Sequence, residues 1–313
     1  MRIVFMGTPD FAKSSLAALL EKKAQVVGVY TQPDRPRGRG KKVSYSPVKE
    51  LALEHRIPVF QPPTLKNDLV YAQLLELDPD IIVVVAYGQI LPVRILNVPS
   101  LGCVNVHASL LSKYRGAAPI HWAIINGETV TGITTMFMTE QLDAGDMILQ
   151  KQLTIGPGMT VGEVHDRLAI LGGELLVATL TLIKHGNCPR IPQNDQEATY
   201  APMLHDFHEV ITWDANAQAI VNKIRGMNPW PGAYTMKNGE RLKIYGAHVI
   251  TDFSGRGTPG QVLAIDLDGF VVQTGEGILK VTHVQPAGKK QMAATEFLKG
   301  YQLGIGETLG TGQ

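Results

Sequence analysis

From Arg2 to about Ile155, short runs of β-branched residues alternate with segments whose apolar residues recur at helical spacing. That alternation points to a parallel sheet with crossover helices, because parallel neighbours need a connection long enough to carry the chain back to the same end. The strand candidates are Ile3–Met6, Val26–Thr31, Pro58–Gln61, Ile81–Ala86, Cys103–His107, Gly132–Met138 and Met147–Leu153. Helical patterns at Phe11–Lys23, Pro47–His55, Asn67–Leu77 and Pro119–Asn126 lie between them. The expected architecture is Rossmann-like α/β, with sites at the carboxyl ends of the strands.

A long helix follows, opened by the capping box Thr160-x-x-Glu163, with Gly186 placed to end it. Residues 186–208 read as polar, irregular chain containing Pro189, Pro192 and Pro202. One more helical pattern, Asn216–Gly226, precedes Asn-Pro-Trp-Pro-Gly at 228–232. Beyond it, alternating segments are punctuated by glycine: Leu242–Ala247, Gly260–Ile265, Gly269–Thr274 and Gly277–Val284. That spacing predicts a small OB-like β-barrel of about 100 residues. In 313 residues the expected division is a catalytic domain at 1–189, a linker at 190–207 and the barrel domain at 208–313.

The 29 basic and 28 acidic residues sum to +1, which by itself disfavours a nucleic-acid partner. The charge is unevenly spread, however. Arg35, Arg37, Arg39, Lys41 and Lys42 fall in residues 35–42, which hold no acid. Glycine and proline keep this stretch from forming a helix, so it is expected as a loop at the carboxyl end of the second strand. Cations there would gain by neutralising phosphate, although such a loop also reads as plain solvated surface. The longest apolar runs, such as Ile81–Ala86, fall far short of the ~18 residues that a membrane helix needs. Met1–Met6 runs straight into a strand pattern without the regions of a signal peptide. The expected compartment is the cytoplasm, where Cys103 and Cys188 stay reduced and read as small core residues.

The turn after the first strand, Met6-Gly-Thr-Pro-Asp-Phe-Ala12, has a single glycine and not the G-x-G-x-x-G of a dinucleotide site; the P-loop pattern is missing too. More informative is Val104-Asn-Val-His107, where period-two alternation puts Asn105 and His107 on one face of a strand as it runs out into a loop. An amide that donates to a developing oxyanion, beside an imidazole that handles protons, suits a tetrahedral intermediate. No serine or cysteine occupies an elbow motif, which favours direct transfer over a covalent enzyme intermediate. Asp143, in a loop between two strand patterns, is a candidate to orient His107. Spacing alone leaves open that Asn105 and His107 serve loop backbone groups and that Asp143 makes an Asx turn before Gly145. His205-x-x-His208 has no third ligand at metal-binding spacing, so no metal is expected.

Val-Asn-Val-His-Ala-Ser-Leu-Leu at 104–111, Tyr-Arg-Gly-Ala-Ala-Pro-Ile at 114–120 and Leu-Asp-Ala-Gly-Asp at 142–146 closely resemble the folate-dependent formyltransferases. The resemblance extends to Phe-Met-Gly-Thr-Pro-Asp-Phe-Ala at 5–12, Arg-Gly-Arg-Gly-Lys-Lys at 37–42 and Asn-Pro-Trp-Pro-Gly-Ala-Tyr at 228–234. It implies transfer of the formyl group of 10-formyltetrahydrofolate to the α-amino group of methionine on initiator tRNA. It implies catalytic roles for Asn105, His107 and Asp143 and folate contact at Ser109, Leu110, Leu111 and Ser112. Ser112 stands where the family usually has proline, and Met203–Glu209 lacks the family's lysines, so no tRNA contact is assigned there. The basic loop, with Arg37, Arg39, Lys41 and Lys42, is the expected tRNA contact of a monomeric enzyme with no membrane partner. Family relatives acting on glycinamide ribonucleotide or amino-sugar nucleotides, or hydrolysing formylfolate, would share the same three active-site residues. A non-catalytic RNA-binding module is the reading from another class.

Overall fold

The computed structural model describes residues 1–37 and 42–310, with backbone alone at 36, 37, 42 and 43. Arg39 and Lys41 therefore lie outside the described residues, as do the side chains of Arg37 and Lys42. The chain divides into two compact units. One comprises residues 1–119, 130–154 and 165–201, and the other 120–129, 155–164 and the chain from 202 onward.

In chain order the elements up to residue 201 are β1 (Arg2–Gly7), α1 (Asp10–Glu21), β2 (Gln25–Tyr30), β3 (Arg35–Arg37), β4 (Lys42–Ser44), α2 (Pro47–Glu54), β5 (Val59–Phe60), α3 (Asp68–Leu77) and β6 (Ile81–Val85). They continue with α4 (Val93–Leu96), β7 (Cys103–His107), β8 (Arg115–Gly116), α5 (Pro119–Ile125), β9 (Val130–Phe137), β10 (Met147–Thr154), α6 (Val161–Lys184) and β11 (Tyr200–Ala201). The main sheet has the order β10-β9-β7-β6-β1-β2-β5. From β5 to β7 all neighbours are parallel. β6, Ile-Ile-Val-Val-Val, is buried along its length, as befits a central parallel strand covered on both faces.

The parallel order stops at β7. β9 pairs with it antiparallel, His107 opposite Thr134, and β10 returns antiparallel to β9. The reason lies in the connection: residues 108–129 leave and re-enter the sheet at the same end, so β9 runs back against β7. The single glycine after β1 has a packing explanation. A Cβ on Gly7 would lie 2.7 Å from the Ala12 Cβ and 2.9 Å from the Val85 carbonyl oxygen, so β1 can run between α1 and β6 only without a side chain there.

The second unit carries α7 (Asp206–Glu209), α8 (Ala217–Gly226), β12 (Tyr234–Lys237), β13 (Glu240–Ile250), β14 (Val262–Asp266), β15 (Gly269–Gln273), β16 (Ile278–Pro286), β17 (Met292–Ala293) and α9 (Ala294–Gly300). Its antiparallel sheet has the order β12-β13-β16-β15-β14, with β17 on β16. The last described residues bridge the two edges. Gly310 pairs with Met236 of β12, and Thr308 pairs with Gln261 beside β14. Trp213, Ile220, Ile244, Phe270, Val281 and Phe297 share the buried core that α8 closes on one side. Asn216 caps α8 by accepting the N–H of Gln218 at 2.8 Å, which satisfies a donor that a helix start leaves unpaired. Among the described residues no helix is long and apolar enough to cross a membrane.

Candidate active site

β7 is hydrogen-bonded on both sides, to β6 and to β9, so its side chains cannot rotate away from their faces. Val104 and Val106 are buried in one layer. Asn105 and His107 point the other way, at the carboxyl end. The His107 ring is 6% exposed, and its Nε2 lies 2.9 Å from the Tyr114 carbonyl oxygen. A carbonyl only accepts, so Nε2 carries the hydrogen and Nδ1 is left facing Asp143 Oδ2 at 3.6 Å.

Asp143 arrives on the loop between β9 and β10, in left-handed backbone with φ +48°. Its carboxylate accepts from distant partners rather than from its own turn: Asn105 Nδ2 donates to Oδ1 at 3.3 Å, and the Gly116 N–H donates to Oδ2 at 2.9 Å. Gly145 permits the loop's course, because a Cβ there would sit 1.8 Å from the Phe137 carbonyl oxygen. The three residues picked out in the sequence are thus brought together around one carboxylate. Asn105 spends one amide hydrogen on Asp143, and its Nδ2 carries a second.

The Ser109–Ser112 segment follows His107 directly and is held by the neighbouring strands. Thr134 Oγ1 donates to the Ser109 carbonyl at 2.7 Å and accepts the Leu111 N–H at 3.1 Å. Gln150 Nε2 donates to the Leu111 carbonyl at 2.7 Å. Ser109 Oγ donates to the Lys113 carbonyl at 2.7 Å, and the Leu111–Ser112 peptide is cis. Within this segment Ser109 and Leu111 are buried, and Leu110 and Ser112 are half-buried.

Two residues that sequence reasoning did not single out underlie the Asp143 loop. Arg115, 4% exposed, lies within the Tyr-Arg-Gly motif, so that motif was the available signal. Gln193 follows Pro192 in irregular chain, with no periodicity to mark it.

The basic hairpin begins at the end of β2, at the same end of the sheet as Asn105. β3 and β4 pair antiparallel, Arg37 opposite Lys42. Its base is anchored by Asp34, which pairs with Lys49 and accepts Gln61 Nε2 at 2.8 Å. Burial acts to raise the Asp34 carboxyl, but the hydrogen bonds from Lys49 and Gln61 outweigh it and hold the group below the usual carboxylate range.

His205 and His208 lie in the second unit, where the His205 N–H donates to His208 Nδ1 at 3.0 Å. Burial first, then His205 and Lys223, lower the His208 pKa. Among the described residues no group of three or more His, Cys, Asp or Glu is arranged to hold a metal. Both cysteines are free, and burial pushes the Cys103 thiol up to about 12.

Comparison with known proteins matches the chain in two successive segments. The formyl transferase family model matches residues 1–180, and that of the formyl transferase C-terminal domain matches residues 206–302. The methionyl-tRNA formyltransferase of Moorella thermoacetica is 57% identical over 310 residues, 99% of each chain. That of Desulforamulus reducens is 53% identical over 99% of this chain and 98% of its own. Among solved structures, the N-formyltransferase of Helicobacter canadensis, bound to folinic acid and dTDP-3-aminofucose, superposes with a TM-score of 0.68 at 20% identity. It covers 91% of this chain and 98% of its own. HypX from Aquifex aeolicus in complex with tetrahydrofolic acid gives a TM-score of 0.66 at 18% identity. The match spans 98% of this chain and 50% of that longer one. At these identities the structures speak for the fold, while the family models and the near-full-length relatives carry the assignment: this chain belongs to the formyl transferase family.

Proposed function

We propose that this enzyme transfers the formyl group of 10-formyltetrahydrofolate to the α-amino group of methionine carried by initiator tRNA, giving formylmethionyl-tRNA for translation initiation. The observation that carries the reading is the convergence of Asn105 and His107 on the two oxygens of Asp143. The near-full-length likeness to methionyl-tRNA formyltransferases supports the choice of acceptor.

In this reaction a carbon–nitrogen bond forms between the methionyl amine and the formyl carbon, and the bond from that carbon to the folate nitrogen breaks. One proton passes from the amine to the departing nitrogen. Asn105 directs its remaining amide hydrogen at the oxygen that becomes negative in between. His107 handles the proton, with Asp143 orienting the ring. To do so, Nε2 leaves the Tyr114 carbonyl for the substrate while the ring hydrogen sits on Nδ1 against Asp143, so that Nε2 offers its lone pair to the amine proton and then passes that proton to the departing nitrogen. Holding the two substrates in attack geometry supplies up to roughly 7–11 kcal/mol of the barrier reduction in well-oriented systems.

In this proposal residues 1–189 form the catalytic domain, with folate lying against Ser109, Leu110, Leu111 and Ser112. Residues 190–207 join it to the barrel domain at 208–313, which shares the RNA. Arg37, Arg39, Lys41 and Lys42 meet the tRNA backbone, and the enzyme acts as a monomer in the cytoplasm without a membrane partner. The test offers 10-formyltetrahydrofolate together with methionyl initiator tRNA, glycinamide ribonucleotide or an amino-sugar nucleotide in parallel. Formylation of the tRNA is the expected result. Product on either small acceptor, with none on tRNA, overturns it.

A further inference from the structure

We infer that Gln193, seated on Arg115, is a positioning residue that sets the Asp143 carboxylate against His107 and Asn105; the inference rests on the catalytic reading of Asp143.

The Gln193 amide is used at both ends. Its nitrogen donates to the Asp143 carbonyl at 2.8 Å and to the Gly145 carbonyl at 2.9 Å. Its oxygen accepts from Arg115 Nε at 3.0 Å and Nη2 at 2.9 Å. A guanidinium only donates and a carbonyl only accepts, so the amide can sit in one orientation alone, with two hydrogens and two acceptor positions all matched. Arg115 is in turn fixed by Asp195 Oδ1 at 2.7 Å from Nη2.

This arrangement answers a specific structural need. Asp143 has φ +48°, left-handed backbone that aspartate tolerates better than most residues bearing a Cβ and that the surrounding contacts hold in place. Gln193 grips the main chain on both sides of Ala144. The Gly116 N–H, one residue beyond Arg115, takes hold of the carboxylate itself. Residues 115 and 116 therefore constrain Asp143 from two directions, one through Gln193 and one directly. The segment bearing Gln193 is itself pinned at both ends. Ile191 and Met147 exchange backbone hydrogen bonds at 2.8 and 2.9 Å, and the Arg115 N–H donates to the Thr199 carbonyl at 2.8 Å.

Gln193→Glu is the discriminating variant. It keeps the partner of Arg115 and the shape of the side chain, but turns an oxygen without a hydrogen toward two carbonyls. Formylation of methionyl-tRNA by 10-formyltetrahydrofolate is measured for Gln193→Glu in the native chain and in an Asp143→Ala background, with circular dichroism to establish folding. The expected result is a fall in kcat of about tenfold or more, with both KM values within about threefold, that shrinks to less than about twofold when Asp143 is already alanine. A Gln193→Glu enzyme within twofold of normal kcat, or an equal loss in both backgrounds, overturns the positioning role while leaving the catalytic reading standing. Normal turnover by Asp143→Ala alone removes the catalytic reading and this inference with it. Where Gln193→Glu does not fold, Arg115→Lys, which keeps a cation beside Asp195 but loses the fork on Gln193, is read by the same criteria.

Discussion

Asp143 Oδ2 stands 3.6 Å from His107 Nδ1, while the other ring nitrogen donates to the Tyr114 carbonyl at 2.9 Å. The imidazole is thereby held between a carboxylate and a carbonyl, two groups that each accept a proton's hydrogen bond. Of these two neighbours only the Asp143 carboxylate carries a charge. Asp143→Asn keeps the size of the side chain and removes its charge. Such a variant is expected to lose at least about tenfold in kcat with its fold intact, checked by single-turnover kinetics and near-ultraviolet circular dichroism.

Asn105 acts on the oxygen rather than on the protons, so its removal should have a different signature. Asn105→Ala is expected to lower kcat about 100-fold, the usual cost of deleting one oxyanion donor, with little change in either KM. A rise in KM for the folate substrate at unchanged kcat would instead place Asn105 in ground-state binding.

Much of this was legible in the chain, and the parts that were not share a cause. The run Ile81–Val85 announces a central strand because it is apolar on both faces, and the alternation in Val104-Asn-Val-His107 places Asn105 and His107 together. Periodicity carries no direction, however, so the reversal of β9 is invisible until the connection through 108–129 is seen to return to the end it left. Asp143 was recognisable as a loop carboxylate, but its partners come from Asn105 and Gly116, far away in the chain. Gln193 reads as ordinary polar chain between prolines because its meaning lies wholly in what it touches. Pattern reveals which face a side chain takes; it does not reveal which distant backbone carbonyl that side chain will meet.

Gly145 provides a stability test of the same loop. Its missing Cβ is replaced in space by the Phe137 carbonyl oxygen, a backbone atom that cannot swing aside. Gly145→Ala is expected to cost about 1–3 kcal/mol, as overpacking does, and to lower Tm by several degrees. Activity should fall further than stability alone accounts for, since the loop carries Asp143. Thermal melts and kcat measured on the same preparation separate the two effects.

The Asp34–Lys49 pair at the base of the basic hairpin predicts an acid-side sensitivity. The Asp34 carboxyl is held below its usual range in the folded protein, so its contribution to stability is present above the unfolded value, about 3.9, and is lost as pH falls through the lower folded value. Asp34→Asn should therefore narrow the stability gap to the native chain as pH falls below about 4 and be the less stable of the two near neutrality. Denaturant titrations from pH 7 to pH 3 check both signs, and parallel curves across that range would exclude the pair as a contributor.

The hairpin's own cations are tested through salt. Four side chains that neutralise phosphates each release counterions, and the logarithm of the binding constant then falls with the logarithm of salt concentration by about 0.7–0.9 per contact. Replacing Arg37, Arg39, Lys41 and Lys42 with alanine is expected to reduce that slope by about 3 for methionyl initiator tRNA, and to leave the KM for 10-formyltetrahydrofolate unchanged. Because the chain's net charge is only +1, little background attraction to polyanions is available to mask the loss. An unaltered slope would remove the hairpin from the tRNA contact. A flattened slope with a raised folate KM would show that the substitutions had disturbed the Asp34–Lys49–Gln61 base and not only the charges it presents.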